Sequence, residues 1–310
     1  MSALDCGTNS TRLLVVDASG RTLERDMHIT RLGEGVDATG ELSHEGMTRT
    51  WSVLEDYRRK MEALGVERAR LVATSAVRDA SNGEFFLAGA ARVTGVLPEL
   101  LSGEEEGRLS FAGATAKLPQ DVAAAAAVLV VDIGGGSTEL VMGSPTDPRS
   151  ARVVSLDLGC VRITERHLRH DPPTRSELDD ARLDVRTLLE GARASLTPPP
   201  SCPVIGLAGT VSTLAALEQG LDHYERARIH HARLGRAQVR RWLDVLSSEP
   251  AGRRRARAGM VEGREDVIVG GVLVLDCVME VFKAPECLVS EDDILDGLTA
   301  SLQPELQGMS

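Results

Sequence analysis

Two stretches of this chain carry the same residue types at the same spacing, and both suit phosphate. Asp5-Cys6-Gly7-Thr8-Asn9-Ser10-Thr11-Arg12-Leu13-Leu14-Val15 aligns with Asp132-Ile133-Gly134-Gly135-Gly136-Ser137-Thr138-Glu139-Leu140-Val141-Met142. The copies match at Asp5/Asp132, Gly7/Gly134, Ser10/Ser137, Thr11/Thr138 and Leu13/Leu140. Each follows a short apolar run and leads into another, which predicts strand, tight turn, strand. Glycine admits a ligand close to the backbone and tolerates positive φ. Successive N–H groups in such a turn form a nest for an anion. An aspartate at the strand end can orient a water or a metal ion beside the phosphate. Duplication of the device predicts two similar domains facing a shared cleft. Two ordinary glycine-rich hairpins are the alternative, and five identities in eleven positions weigh against it. The glycine-lysine-serine/threonine loop of P-loop NTPases is absent from the sequence. Each glycine turn runs into an apolar strand, whereas a dinucleotide fingerprint opens a helix.

The elements that must position these turns are read from periodicity. Strands are predicted over 13–17, 21–29, 70–75 and 96–101, with helices over 43–64, 79–92 and 104–116. In the second half, strands fall at 128–132, 139–142, 152–158, 203–208 and 286–290. Helices fall at 162–169, 175–194, 209–217, 236–246, 266–282 and 293–302. Strand–helix alternation of this kind predicts an α/β fold with mainly parallel sheets. The chain changes domain near 118–122, giving domains over 1–120 and 121–310, with the final helix free to pack back on the first.

At 310 residues the chain is long enough for two cores, and 42% of it is hydrophobic. Only 3% is aromatic, so the cores must be built from Ala, Leu, Val and Ile. The net charge of −11 argues against nucleic acid as a partner, and an anionic substrate needs a local patch. Five dispersed cysteines (Cys6, Cys160, Cys202, Cys277 and Cys287) form no disulfide or zinc pattern and fit a reducing cytoplasm. No leader is expected, because the N-terminus enters a strand at once. The apolar runs at 122–131 and from 267 onward are too short or too interrupted, by Asp276 and Glu280, to span a membrane.

Taken in order, several motifs resemble those of the exopolyphosphatase / guanosine pentaphosphate phosphohydrolase family, within the sugar kinase–actin–chaperone ATPase superfamily. They are Asp5 to Ser10, Thr74-Ser75-Ala76-Val77-Arg78, Ser102-Gly103-Glu104-Glu105-Glu106-Gly107-Arg108 and Val131 to Glu139. Leu158-Gly159-Cys160-Val161-Arg162, Gly209-Thr210, Arg264 to Gly271 and Ser290 to Gly297 complete the set. The resemblance covers nearly the whole chain and is to short, actinobacterial-like members without the C-terminal helical domains of longer relatives. It implies two ribonuclease H-like domains, Mg²⁺ or Mn²⁺ as cofactor, inorganic polyphosphate or guanosine pentaphosphate as substrate, and a homodimer.

The resemblance also assigns roles. Glu106 is the catalytic glutamate that aligns or deprotonates water behind the terminal phosphorus. Glu104 and Glu105 instead complement the start of a helix. Arg78 clamps phosphate and neutralises developing charge. Asp132 and Glu139 hold the metal directly or through water, with Asp5 as their equivalent in the other copy. Gly134, Gly135, Gly136, Ser137 and Thr138 donate to the terminal phosphate, as do Asn9 and Ser10 from the facing loop. Gly209 and Thr210 open a helix that either receives a more distal phosphate or serves structure alone. His230 and His231 lack metal-ligand spacing and are expected at the surface. The arginines between Arg226 and Arg264, above all Arg253–Arg257, are either a track for a polyanion or a solvated helix face.

The expected activity is hydrolysis of terminal phosphoanhydride bonds of polyphosphate. A guanosine pentaphosphate 5′-phosphohydrolase would use the same residues. A binding protein that senses polyphosphate or alarmone is a different class, and the carboxylates Glu106, Asp132 and Glu139 argue against it. A kinase would need an acceptor pocket that no motif supplies.

Overall fold

The structure is a computed structural model, described here for residues 1–303. By internal contact the chain divides into two units: Met1–Gly113 together with Ile294 and the residues after it, and Ala114–Asp293. The first unit holds β1 (Ser2–Cys6), β2 (Ser10–Val16), β3 (Thr22–Ile29), β4 (Ala69–Ala73) and β5 (Pro98–Leu100). They form one sheet in the order β3-β2-β1-β4-β5. The pairs β1/β2 and β2/β3 are antiparallel, while β1/β4 and β4/β5 are parallel. Every residue of β1 is buried, as befits a strand covered on both faces. β3 is the edge, and it carries Glu24, Arg25 and Asp26, charges that suit an unpaired strand side.

Helices lock this sheet. In His44–Ala63 the Ser43 hydroxyl caps Gly46 N, and Gly65 just beyond the end takes φ 64°. Tyr57 on that helix is fully buried and its hydroxyl donates to Thr11 O at 2.9 Å, tying the helix to β2. The final helix, Ile294–Ser301, packs Ile294, Leu295 and Leu298 against Ala3, Leu14, Val16 and Val72 of the first unit's sheet. Gly297 lets it meet the helix Gly103–Thr115 closely, since a Cβ there would lie 2.1 Å from Leu109 O. By contact the change of unit falls at Gly113/Ala114, and the last helix groups with the first unit.

The second unit holds β6 (Val128–Ile133), β7 (Thr138–Ser144), β8 (Asp147–Leu156), β9 (Val204–Leu207), β10 (Arg233–Gly235) and β11 (Glu286–Val289), in the order β10-β11-β9-β6-β7-β8. Without β10, this is the first unit's order over again: third, second, first, fourth, fifth strand. That is the ribonuclease H-like arrangement, present twice, as the duplicated motif predicts. β10 is an added antiparallel edge. The buried helix Ile268–Val281 backs this sheet, and Asp276, fully buried within it, meets Arg182 NH2 at 2.7 Å. That ion pair explains the charge inside the apolar run. No helix among the described residues is long and apolar enough to cross a membrane.

Candidate active site

The two glycine turns agree to the atom. Gly7 N donates to Ser10 O at 3.0 Å, and Gly134 N donates to Ser137 O at 3.0 Å. A Cβ on either glycine would stand 3.1 Å from the same carbonyl oxygen. Gly7, Gly134, Gly135 and Gly136 all keep negative φ or extended backbone. Glycine is thus required for close approach, and the left-handed conformation is not used.

The copies part at one position. In strand register Asp5 faces Arg12, whereas Asp132 faces Glu139. Arg12 donates to Asp5 Oδ2 from Nε at 2.9 Å and from NH2 at 2.6 Å. The first copy is therefore an internally neutral pair. The second sets two carboxylates side by side on one sheet face, 8% and 1% exposed for Asp132 and Glu139. Cross-strand neighbours have Cβ atoms about 5 Å apart, and like charges there repel unless a cation joins them. Ser155 orients Glu139 by donating to its Oε1 at 2.8 Å.

Each turn is fixed from behind. Cys160 N donates to Gly134 O at 2.9 Å, Val161 N to Gly135 O at 2.9 Å, and Arg162 Nε to Gly136 O at 2.7 Å. A trans peptide points its C=O and the following N–H opposite ways. With three carbonyls drawn toward the helix Cys160–His167, the N–H groups of Gly135, Gly136 and Ser137 face away from it, as an anion nest requires. Gly159 permits the contact, because a Cβ there would lie 2.1 Å from Gly135 O. In the first copy, Thr30 N and Arg31 N donate to Asn9 O at 3.1 and 3.0 Å, and Gly33 N to Thr8 O at 2.8 Å. The Asn9 side-chain amide is buried, and its Nδ2 has no hydrogen-bond partner among the described residues.

Three consecutive glutamates start the helix Gly103–Thr115, and each turns about 100° from the last. Glu104 pairs with Arg108 NH2 at 2.9 Å on the exposed face. Glu105 closes a capping box, its Oε2 accepting from Ser102 N at 2.9 Å and Ser102 Oγ at 2.8 Å. The Ser102 backbone N–H, then its hydroxyl, hold the Glu105 carboxyl below its ordinary range. Glu106 points inward, its side chain 13% exposed, with Oε2 at 3.6 Å from Arg78 NH1. Arg78 lies near the end of a short helix, Ser75–Asp79, and its NH1 donates to Leu101 O at 2.8 Å.

Mg²⁺ is held by one or two carboxylates, with waters and phosphate oxygens completing the shell. Asp132 and Glu139 are such a set. Among the described residues no group of three or more His, Cys, Asp and Glu converges on a metal position. An ion at this pair must therefore draw its other ligands from water and substrate. Gly209 opens the helix Ala208–Gln219, and a Cβ on it would fall 1.9 Å from Arg264 Cζ. Thr210 is buried, and its hydroxyl oxygen would meet a Cβ on Gly271 at 2.2 Å.

Residues 14–305 match the Ppx/GppA phosphatase family. The chain belongs to that family. The protein named Exopolyphosphatase 2 of Mycobacterium tuberculosis is 41% identical over 97% of this chain and 98% of its own length. A solved Ppx/GppA structure from Aquifex aeolicus is 31% identical with a TM-score of 0.80, covering 100% of this chain and 98% of that one. Guanosine-5′-triphosphate,3′-diphosphate pyrophosphatase of Vibrio atlanticus is 29% identical over 99% of this chain, and the match covers 60% of that protein.

Within this Ppx/GppA chain some expectations change. Asp5, expected beside the metal, is paired with Arg12 at 2.6 Å. Thr138 is fully buried and its hydroxyl donates to Leu158 O at 2.6 Å, which braces the turn. His230 and His231 stack at 3.7 Å between ring centroids, and His230 Nδ1 accepts from Glu291 N at 3.0 Å. They fasten the loop after β11 and are half-buried, not surface decoration. The arginine segment is ion-paired. Arg254 is buried and donates to Glu265 O at 2.6 Å, to Glu249 O and to Asp171 Oδ1 at 2.9 Å. Arg257 meets Glu249 Oε2 at 2.7 Å, and Arg255 meets Glu262 at 2.7 Å. Carboxylates and carbonyls thus already engage Arg254, Arg255 and Arg257. Arg12, Arg162 and Arg264 support the turns and were missed as such by sequence reasoning. For Arg12 a signal existed: it occupies in the first copy the place of Glu139 in the second.

Proposed function

We propose that this chain is an exopolyphosphatase that removes the terminal phosphate of inorganic polyphosphate as orthophosphate, with Mg²⁺. The observation that carries the reading is the asymmetry between the two turns: a dry carboxylate pair beside one anion nest, and a neutralised Asp5–Arg12 pair beside the other. The resemblance to a protein named Exopolyphosphatase 2 favours polyphosphate over guanosine pentaphosphate.

In this reading, N–H groups of Gly135, Gly136 and Ser137 hold oxygens of the terminal phosphate, and the Asn9 amide is a further donor for phosphate. Glu106 orients a water and takes its proton as the new O–P bond forms and the bridging P–O bond breaks. Arg78 fixes the Glu106 carboxylate and offers its remaining N–H groups to the phosphoryl oxygens, where charge is shared in the transition state. Asp132 and Glu139 would hold Mg²⁺, which would supply charge neutralisation to bound phosphate. The leaving group is polyphosphate shorter by one unit.

The test is orthophosphate release, with Mg²⁺ and no added acceptor, from long polyphosphate, tripolyphosphate, guanosine pentaphosphate and ATP. Polyphosphate should turn over fastest. Release from guanosine pentaphosphate alone would replace the substrate, and release that needs an acceptor alcohol would replace the reaction class.

A further inference from the structure

A cavity of about 660 Å³ lies in the second unit at the end of the sheet remote from the glycine turn. β6, β9 and β11 run parallel, and the Gly134 and Gly209 loops follow the C-terminal ends of β6 and β9. The cavity is lined by Val204 and Glu286, the first residues of β9 and β11. It is therefore separate from the residues assigned to hydrolysis and does not rest on that reading.

Its chemistry is mixed. Pro198, Pro199, Pro203 and Phe282 give rigid, flat apolar walls. Arg193 and Lys283 also line it, and neither pairs with a carboxylate among the described residues. Arg233 differs, being shared between Asp121 at 2.5 Å and Glu286. Two helices, Arg175–Leu196 and Ile268–Val281, end beside the cavity in left-handed closing residues, Thr197 and Lys283. Ser201 and Lys283 take φ 58° and 56°, and Thr197, just before the prolines, takes φ 46°.

We propose that this cavity binds a small organic anion with a planar body, of the nucleoside monophosphate class. Its phosphate meets Arg193 and Lys283, and its base lies against Phe282 and the prolines. The volume suits a ligand of that size, since such sites span about 300–1,000 Å³. Inorganic polyphosphate has no use for the apolar walls.

The cavity contains its own reporter. Cys202 lines it and is half-buried, whereas Cys6, Cys160, Cys277 and Cys287 are buried. Burial pushes the Cys202 thiol up to about 11, so its alkylation is slow and reads access. The experiment follows Cys202 alkylation by peptide mass spectrometry with AMP as probe. Protection should rise as one plus the ratio of AMP to Kd, reaching about fivefold at about four times Kd. Arg193→Gln with Lys283→Gln should abolish protection and leave polyphosphate hydrolysis in the absence of AMP unchanged. Unaltered alkylation at saturating AMP, protection that survives the double substitution, or equal protection by orthophosphate alone would each overturn the proposal.

Discussion

Glu106→Gln removes one charge and almost no volume, so its effects on rate and on stability can be separated. Arg78 keeps its hydrogen bond to Leu101 O and loses an ion pair of 3.6 Å whose side chains are 27% and 13% exposed. A partly exposed pair of this kind contributes about 1 kcal/mol or less. Loss of a general base costs about 10²–10⁴-fold in rate, equivalent to about 3–5 kcal/mol of barrier. The variant should therefore melt within a few degrees of the parent and turn over at least about a hundredfold more slowly. Its neighbours are internal controls. Glu104 lies in an exposed pair with Arg108, and Gln at position 105 still completes the Ser102 capping box. Glu104→Gln and Glu105→Gln should keep the parent rate. The assay is the initial rate of orthophosphate release at saturating polyphosphate and Mg²⁺, with thermal unfolding on the same preparations. A Glu106→Gln rate within about threefold of the parent would refute the reasoning, as would an equal loss in either neighbour.

Glu139→Gln should raise the Mg²⁺ concentration for half-maximal activity, while Asp5→Asn should lower stability by about 1–3 kcal/mol with the Mg²⁺ titration unmoved; the opposite pattern would place the ion at the first turn. Gly159→Ala should lower kcat by tilting the nest, because its Cβ would press on Gly135 O at 2.1 Å; parent kinetics would show that the nest is not rigidly set. Arg254→Gln should destabilise the fold by about 3–5 kcal/mol in denaturant titration, and the 75%-exposed Arg253→Gln by almost nothing; equal effects would remove the structural role given to Arg254. Glu177 is held down to about 2, first by His170 and then by Thr174 N–H. A depressed carboxyl stabilises above its unfolded value and stops doing so as pH falls through its folded value. The stability gap between parent and Glu177→Gln should thus close as pH falls from about 5 towards 2, which acid unfolding measures.

Long periodic elements and the repeated turn are legible in the amino-acid sequence alone. The helix predicted over 43–64 is His44–Ala63 because cap, apolar stripe and stop residue all agree. The sheet order follows from the repeat, since two copies of strand–turn–strand start two copies of one topology. Short elements are not legible in this way. β10 and the helix Ser75–Asp79 have too few residues to show a period, so Arg78 falls between the strand expected over 70–75 and the helix expected over 79–92, and lies on a short helix of its own. Charge without partner is equally opaque. The run Arg253-Arg254-Arg255 reads as basic, but Glu249, Asp171 and Glu265, which meet it, lie up to 83 positions from Arg254 in sequence. Asp5 is an intermediate case: strand register sets Arg12 opposite it, and the alignment of the two copies, with Arg12 in the place of Glu139, carries the signal.

The most direct test of the central claim follows the oxygen of the attacking water. Tripolyphosphate is hydrolysed by the purified chain with Mg²⁺ in water enriched in the heavy oxygen isotope, and the first orthophosphate released is weighed by mass spectrometry. If water attacks the terminal phosphorus, as the role given to Glu106 requires, each released orthophosphate carries one heavy oxygen and the pyrophosphate left behind carries none. Heavy oxygen in the pyrophosphate, with unlabelled orthophosphate, would mean attack at the neighbouring phosphorus and would contradict the account.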